Sequence, residues 1–151
     1  MTELAIQAAF QTTIQGMSEF ENADVVINDY SVFDRSTLNA PYVIIGNSNA
    51  FEARQDVQSP NTRWDIIVTL VERFTDWEET LNNLRLRRQA LIDRFDLIGD
   101  NRSAGGLEAT TIDLIRSETP ILPRFDPYVE DVTEAMPIFL FQDMAFVTEE
   151  F

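Results

Sequence analysis

Apolar and polar residues alternate most clearly over residues 62–74, and this pattern predicts a β-strand. Every second side chain of a strand points to the same face of its sheet. One face of the predicted strand is wholly apolar, with Trp64, Ile66, Val68 and Leu70. The other face is mixed, with Arg63 and Asp65 beside Ile67 and Val71. We therefore expect the first face to lie on the domain core and the second face to be only partly covered.

The spacing of apolar residues changes to three and four after residue 75, which predicts a helix over residues 76–98. Thr75 and Glu78 have the spacing of a capping box, in which a hydroxyl and a carboxylate bind free backbone N–H groups. Gly99 follows the last predicted turn, as is common at helix ends. The expected core-facing residues are Trp77, Leu81, Leu84, Leu91, Phe95 and Ile98. This side of the helix should pack on the apolar face of the preceding strand.

Weaker patterns predict the remaining elements. Residues 2–20 form an expected helix, with Thr2 as its cap and Leu4, Ala8, Ile14, Met17 and Phe20 on its apolar side. Expected strands are 25–28, 42–45 (opened by Pro41 and ended by Gly46), 107–116 and 137–148, and expected irregular segments are 47–61 and 117–136. The last strand is apolar on both faces, which indicates that it is sandwiched, with both of its faces covered. The order of elements favours one α+β domain over residues 1–151, with two main helices packed on a mixed, mainly antiparallel sheet.

Three reactive residue types are missing from the composition. The 151 residues include no cysteine, no histidine and no lysine, so all eleven basic residues are arginine. This removes the usual thiol and amine nucleophiles, the imidazole base and all Cys or His metal sites. A carboxylate-only enzyme, such as a glycosidase, stays open. We expect a protein that is not an enzyme and that needs no metal or cofactor.

An acidic cluster in the 117–136 segment is a weak candidate for calcium binding through oxygen ligands. It comprises Asp126, Glu130, Asp131 and Glu134. The cluster lacks the ligand spacing of an EF-hand loop. A solvated acidic segment is the simpler interpretation.

Net charge narrows the choice of partners. The formal charge is −15 and the sequence pI is about 4.1. Such a chain repels nucleic acid and anionic membranes. The charge is consistent with a mimic of DNA or with a surface past which DNA moves without binding. It is also consistent with a charge that serves only to keep the protein soluble.

Four arginines on the helix predicted over 76–98 lack a carboxylate four residues away in either direction; they are Arg85, Arg87, Arg88 and Arg94. Arginine is well suited to ion pairs across interfaces, so a solvated face and a contact with a neighbouring subunit are both open. Arg88 falls within the apolar stripe, where an internal partner such as a strand carboxylate is an alternative.

Apolar residues also lie on the side of this helix away from the expected core. Apolar side chains next to arginine resemble the composition of protein interfaces. The candidate subunit-contact residues are Arg85, Leu86, Arg87, Arg88, Ala90, Arg94 and Leu97 on the helix, with Ile67 and Val71 on the partly covered strand face.

The run from Asn61 to Leu70 (NTRWDIIVTL) and the run from Thr75 to Arg85 (TDWEETLNNLR) carry a resemblance to a known family. Together they resemble the central strand–helix unit of tail terminator proteins of tailed bacteriophages, also called tail completion or minor tail U-like proteins. The N-terminal helix, the irregular segment before the strand and the apolar alternation over 138–147 are similar as well. Head-to-tail joining proteins share much of the same pattern, so they remain an alternative.

The resemblance implies a structural virion protein that forms a ring, usually a hexamer, on the head-proximal end of the tail tube. Its implied partners are further copies of itself, the tail tube protein and a head-completion or connector protein. DNA passes through such a ring without specific binding, and no membrane is involved. The implied location is the virion tail, after assembly in the host cytoplasm. From another class, an acidic DNA-mimic inhibitor remains open, although such a mimic should be mainly monomeric with its carboxylates along one face.

Overall fold

Two helices and a mixed sheet make up the computed structural model, which describes residues 3–27, 41–47, 62–95, 114–117, 123–125 and 138–150. The elements in chain order are α1 (Glu3–Gln15), a short 3-10 helix η1 (Ser18–Phe20), β1 (Asp24–Ile27), β2 (Tyr42–Asn47), β3 (Thr62–Arg73), α2 (Trp77–Phe95), β4 (Leu114–Ser117), β5 (Arg124–Phe125) and β6 (Phe139–Glu150). The α+β class predicted from the sequence is confirmed.

The two longest strands, β3 and β6, form the centre of the sheet. They pair antiparallel over twelve residues each, from Thr62 opposite Glu150 to Arg73 opposite Phe139. The strand order is β1-β2-β3-β6-β4, and β5 joins β4 along the outer edge of β6. β1 and β2 are parallel, while the other pairs are antiparallel. The expectation that the last strand is covered on both faces is confirmed for its described side chains, since Leu140, Met144 and Phe146 are buried on one face and Phe139, Phe141 and Val147 on the other.

Both helices pack on one face of this sheet and share a single apolar core with it. The fully or almost fully buried members are Ile6, Phe10 and Ile14 of α1, Leu84, Leu91 and Phe95 of α2, Ile66, Val68 and Leu70 of β3, and Leu140, Met144 and Phe146 of β6. The predicted packing of the helix stripe on the β3 face is thus confirmed at these positions. The side chain of Trp64 and residue Ile98 lie outside the described set.

Three aromatic rings connect the two helices with the sheet. The ring centroids of Phe10 and Phe95 are 4.7 Å apart, and those of Phe95 and Phe146 are 5.4 Å apart. Phe10 and Phe146 close the triangle at 5.8 Å. All three side chains are fully buried, so this aromatic triangle holds α1, α2 and β6 in one relative position.

The opposite face of the sheet has a smaller apolar cluster. Its buried members are Ile44, Val71, Phe139 and Phe141. The Thr69 hydroxyl on this face donates a hydrogen bond of 2.7 Å to Asp143 on β6. Ile67 and Asp65 are half-buried. The expectation of a partly covered face therefore fits Ile67, but Val71 lies in a buried cluster of its own subunit because Phe141 stands opposite it on β6.

The first helix is shorter than predicted and turned differently. It ends at Gln15, and η1 follows after Gly16, whose N–H donates to the Thr12 and Thr13 carbonyls. Its buried side consists of Ile6, Phe10 and Ile14 at four-residue spacing. Of the predicted apolar side, Ile14 and Phe20 are buried as expected, but Leu4 was wrongly included, since its side chain is 62% exposed. The proposed cap Thr2 lies outside the described residues.

The second helix begins one residue later than its predicted start. Asp76 is the cap, because its carboxylate accepts the N–H of Glu79 at 2.8 Å. Thr75 was the wrong cap; its hydroxyl donates to the Glu79 carboxylate, and its N–H donates to the Thr80 hydroxyl.

Two smaller expectations also need correction. Trp77 was wrongly placed in the core stripe, since it is 55% exposed and its ring contacts Phe74 edge-on. Gly46 does not end the second strand, because it pairs with Ile67 inside β2. A glycine therefore does not mark the strand end here.

The packing of α2 can be tested by truncating one leucine on each side of the helix. Leu84→Ala removes a buried side chain of the shared core, so it should lower the free energy of unfolding by about 2–5 kcal/mol. Leu86→Ala, where the leucine is 64% exposed, should change it by less than about 0.5 kcal/mol. Urea unfolding followed by circular dichroism measures both. Equal losses in the two variants would contradict the orientation of α2.

Candidate subunit-contact surface

The candidate contact residues of α2 do not share one surface. A helix turns by about 100° per residue, so Arg85 and Arg94, nine residues apart, lie about 180° from each other around the axis. One side of the buried stripe, called the basic flank below, carries Leu81, Arg85, Arg88 and Ile92. The other side, called the inner flank, carries Asn83, Arg87, Ala90 and Arg94. Leu86 lies on the outward ridge between the two flanks.

Arg87 on the inner flank has partners within its own chain. Its guanidinium forms a short ion pair with the carboxylate of Glu72 on β3. Its Nε also donates to the backbone carbonyl of Glu19 in η1 at 3.4 Å. Both side chains of the ion pair are largely buried, at 18% and 10% exposure. The strand carboxylate that the sequence offered as an alternative for Arg88 therefore belongs to Arg87, which ties α2 to β3 and η1.

Two further members of the inner flank, Ala90 and Arg94, are half-buried, and Asn83 is exposed. Ala90 packs against the main core. Arg94 makes no ion pair with any residue that the structure describes. The inner flank thus contacts its own chain through Arg87 and Ala90, and it faces η1.

The basic flank carries the other two arginines of α2. Arg85 is exposed and Arg88 is half-buried. Neither makes a hydrogen bond or ion pair to the described part of the chain. Leu81 and Ile92, both half-buried, contact the core from this side. Two cationic groups beside half-buried apolar residues form the best-defined contact surface among the candidates.

The position of the helices shows where the basic flank faces. α1 packs over β1 and β2, whereas α2 packs over β3, β6 and β4. Because Arg87 reaches η1 from the inner flank, the basic flank must face the other way. It therefore looks toward the edge of the sheet that β4 forms.

An open groove of about 420 Å³ lies at the start of α2 and offers little for catalysis. It is lined by Asp76, Glu78, Glu79, Asn82 and Asn83. Asp76 and Glu79 are already engaged in the helix cap. Within the described ranges, no group of three or more His, Cys, Asp or Glu residues is arranged to hold a metal ion. Neither described helix is long and apolar enough to cross a bilayer.

Several sequence candidates fall outside the described residues. They are Leu97, the irregular segment over 48–61 and the acidic cluster of Asp126, Glu130, Asp131 and Glu134. No protein-family model matches this chain, and no curated protein matches it.

Sequence reasoning missed Glu72 as the partner of Arg87, although a signal was present. Ile66, Val68 and Leu70 place their side chains in the core, and Glu72 continues the same face of β3 by two-residue alternation. A carboxylate on a core-facing strand position needs a compensating partner. The next element along the chain contains such a partner, Arg87.

The internal role of Arg87 can be measured by a double-mutant cycle with Glu72. Arg87→Met leaves the largely buried Glu72 carboxylate without its charged hydrogen bond, so unfolding should become easier by about 1–3 kcal/mol. Glu72→Gln combined with Arg87→Met should cost less than the sum of the two single changes. Arg85→Met serves as the matched control and should be nearly neutral. Additive losses in the cycle would show that the two side chains are not coupled in solution.

Proposed function

We propose that this protein is a structural virion protein that forms a ring on the head-proximal end of a phage tail tube. The ring would stop tube polymerisation and provide the joint to the head. The observation that carries this proposal is the basic flank of α2, where the exposed Arg85 and the half-buried Arg88 have no partner among the described residues. Arginine beside the half-buried Leu81 and Ile92 fits a protein contact.

The charge of the whole chain supports the same function. With a net charge of −15, a ring of several copies surrounds its central hole with a strongly negative potential. Such a lining repels the phosphate backbone, so DNA can move through without being retained. The resemblance of the β3–α2 unit to tail terminators is what connects this general assembly chemistry to a phage tail.

The α2 arginines also weigh against an acidic DNA mimic. A mimic needs an exposed face with carboxylates in series and without cations among them. On the described surface of α2, Arg85 and Arg88 lie between acidic positions such as Glu78 and Asp93. A head-to-tail joining protein would have the same kind of charged contact surface. It differs from a tail terminator in the structure to which it binds.

Electron microscopy of the purified protein tests the proposal. We expect closed rings with a central hole at high protein concentration. When the protein is added to polymerising tail tube protein of the same phage, tubes should become shorter and carry a ring at one end. Rings that leave tube length unchanged would favour a joining protein instead. A protein that stays monomeric under all conditions, with or without tubes, would contradict the proposed function.

Duplex DNA should not be retained by the protein. A gel-shift titration with a fluorescent duplex at moderate salt should show no complex, because the net charge of −15 opposes contact with phosphates. An arginine-rich DNA-binding protein of similar size provides the positive control. Tight binding under these conditions would count against passage of DNA through the ring.

A further inference from the structure

An acidic edge lies on the side of α2 that faces η1, away from the basic flank. It comprises the exposed residues Glu19, Glu21 and Asp24 on η1 and the start of β1. Glu21 and Asp24 make no side-chain ion pair with the described residues, and the Glu19 carboxylate accepts a hydrogen bond from the adjacent Ser18. These carboxylates therefore have no cationic partner within the described part of the chain.

The acidic edge and the basic flank lie on opposite sides of α2. The inner flank of α2 faces η1 through Arg87 and Glu19, so Arg85 and Arg88 face the β4 end of the sheet. Each copy thus presents cations on one side of α2 and carboxylates on the other, and neither group has an oppositely charged partner among the described residues.

We propose that copies of this chain meet head to tail, with the basic flank of α2 in one copy against the acidic edge of the next. This inference rests on the proposed ring and names the contact that builds it. A two-fold contact centred on the basic flank would bring Arg85 against the same flank of its partner, and like charges would repel. Repetition of a head-to-tail contact between unlike surfaces leads to a closed ring or to a filament.

The contact combines charge with a small apolar area. The half-buried Leu81 and Ile92 of the basic flank supply apolar surface, while the arginines pair with carboxylates of the next copy. Because such pairs are partly exposed, salt should screen them. The ring should therefore dissociate as ionic strength rises.

Charge reversal at Arg85 tests the contact. Arg85→Glu should leave the circular dichroism spectrum and the unfolding midpoint unchanged, because the side chain is exposed and has no described partner. In sizing experiments the variant should need at least tenfold more protein to assemble than the wild type. Arg73→Glu is the matched control: Arg73 is also exposed, but it lies at the end of β3 on the face away from the helices. The Arg73→Glu variant undergoes the same change of charge as Arg85→Glu and should assemble normally.

A second substitution tests whether the acidic edge is the other half of the contact. Glu21→Arg alone should also weaken assembly, because it places two cations opposite each other. The double variant Arg85→Glu with Glu21→Arg restores opposite charges at every contact and should recover assembly toward the wild-type level. A general effect of net charge is excluded by the single Glu21→Arg variant, which lowers the net negative charge and would then assemble better than the wild type instead of worse.

The possible outcomes separate this inference from the proposed function. If Arg85→Glu folds and forms normal rings, the proposed contact is wrong, but the proposed ring-forming function is not contradicted. If it forms normal rings but loses measurable affinity for duplex DNA, the basic flank faces DNA and the contact is again wrong. If the double variant stays as defective as Arg85→Glu, the acidic edge is not the partner surface. If the wild type itself never assembles, both the proposed function and the proposed contact are wrong.

Discussion

The contact among Phe10, Phe95 and Phe146 is the constraint on which the arrangement of surfaces depends. The three rings lie within 4.7–5.8 Å of one another and are fully buried. Since one ring comes from each of α1, α2 and β6, the contact sets the rotation of α2 about its own axis. That rotation decides which arginines face η1 and which face outward. A change in the packing of Phe95 would therefore alter the surface of the molecule as well as its core.

Electrostatics then divides the arginines of α2 into two roles. Arg87 neutralises Glu72, a carboxylate that the alternation of β3 directs toward the core side, and it also reaches the backbone of η1. Arg85 remains exposed and lacks a partner among the described residues. In a chain with a net charge of −15, an exposed cation without a local partner is complementary to the surface of another copy. The same helix thus serves folding on one flank and is available for assembly on the other.

The two clearest elements of the fold could be predicted because their periodicity is strong. The two-residue alternation through Ile66, Val68 and Leu70 and the helical spacing of Leu84, Leu91 and Phe95 identified β3 and α2 and their mutual packing. Other features depend on neighbours that are distant along the chain. The burial of Val71 follows from its register with Phe141, and the partner of Arg87 comes from a different element. From the sequence, Arg85 and Arg94 were placed together in one contact surface. Their proximity along the chain does not show that the core-facing stripe of α2 separates them.

The central claim is that this domain works by assembling through unlike surfaces, and native mass spectrometry tests it most directly. The mass of one chain is 17.3 kDa, so the number of copies in each species can be read without ambiguity. The account predicts a single closed assembly of more than two copies, most simply a hexamer, in equilibrium with monomer. A dimer as the largest species would indicate a two-fold contact between like surfaces. That result, or a monomer at every concentration, would contradict the account.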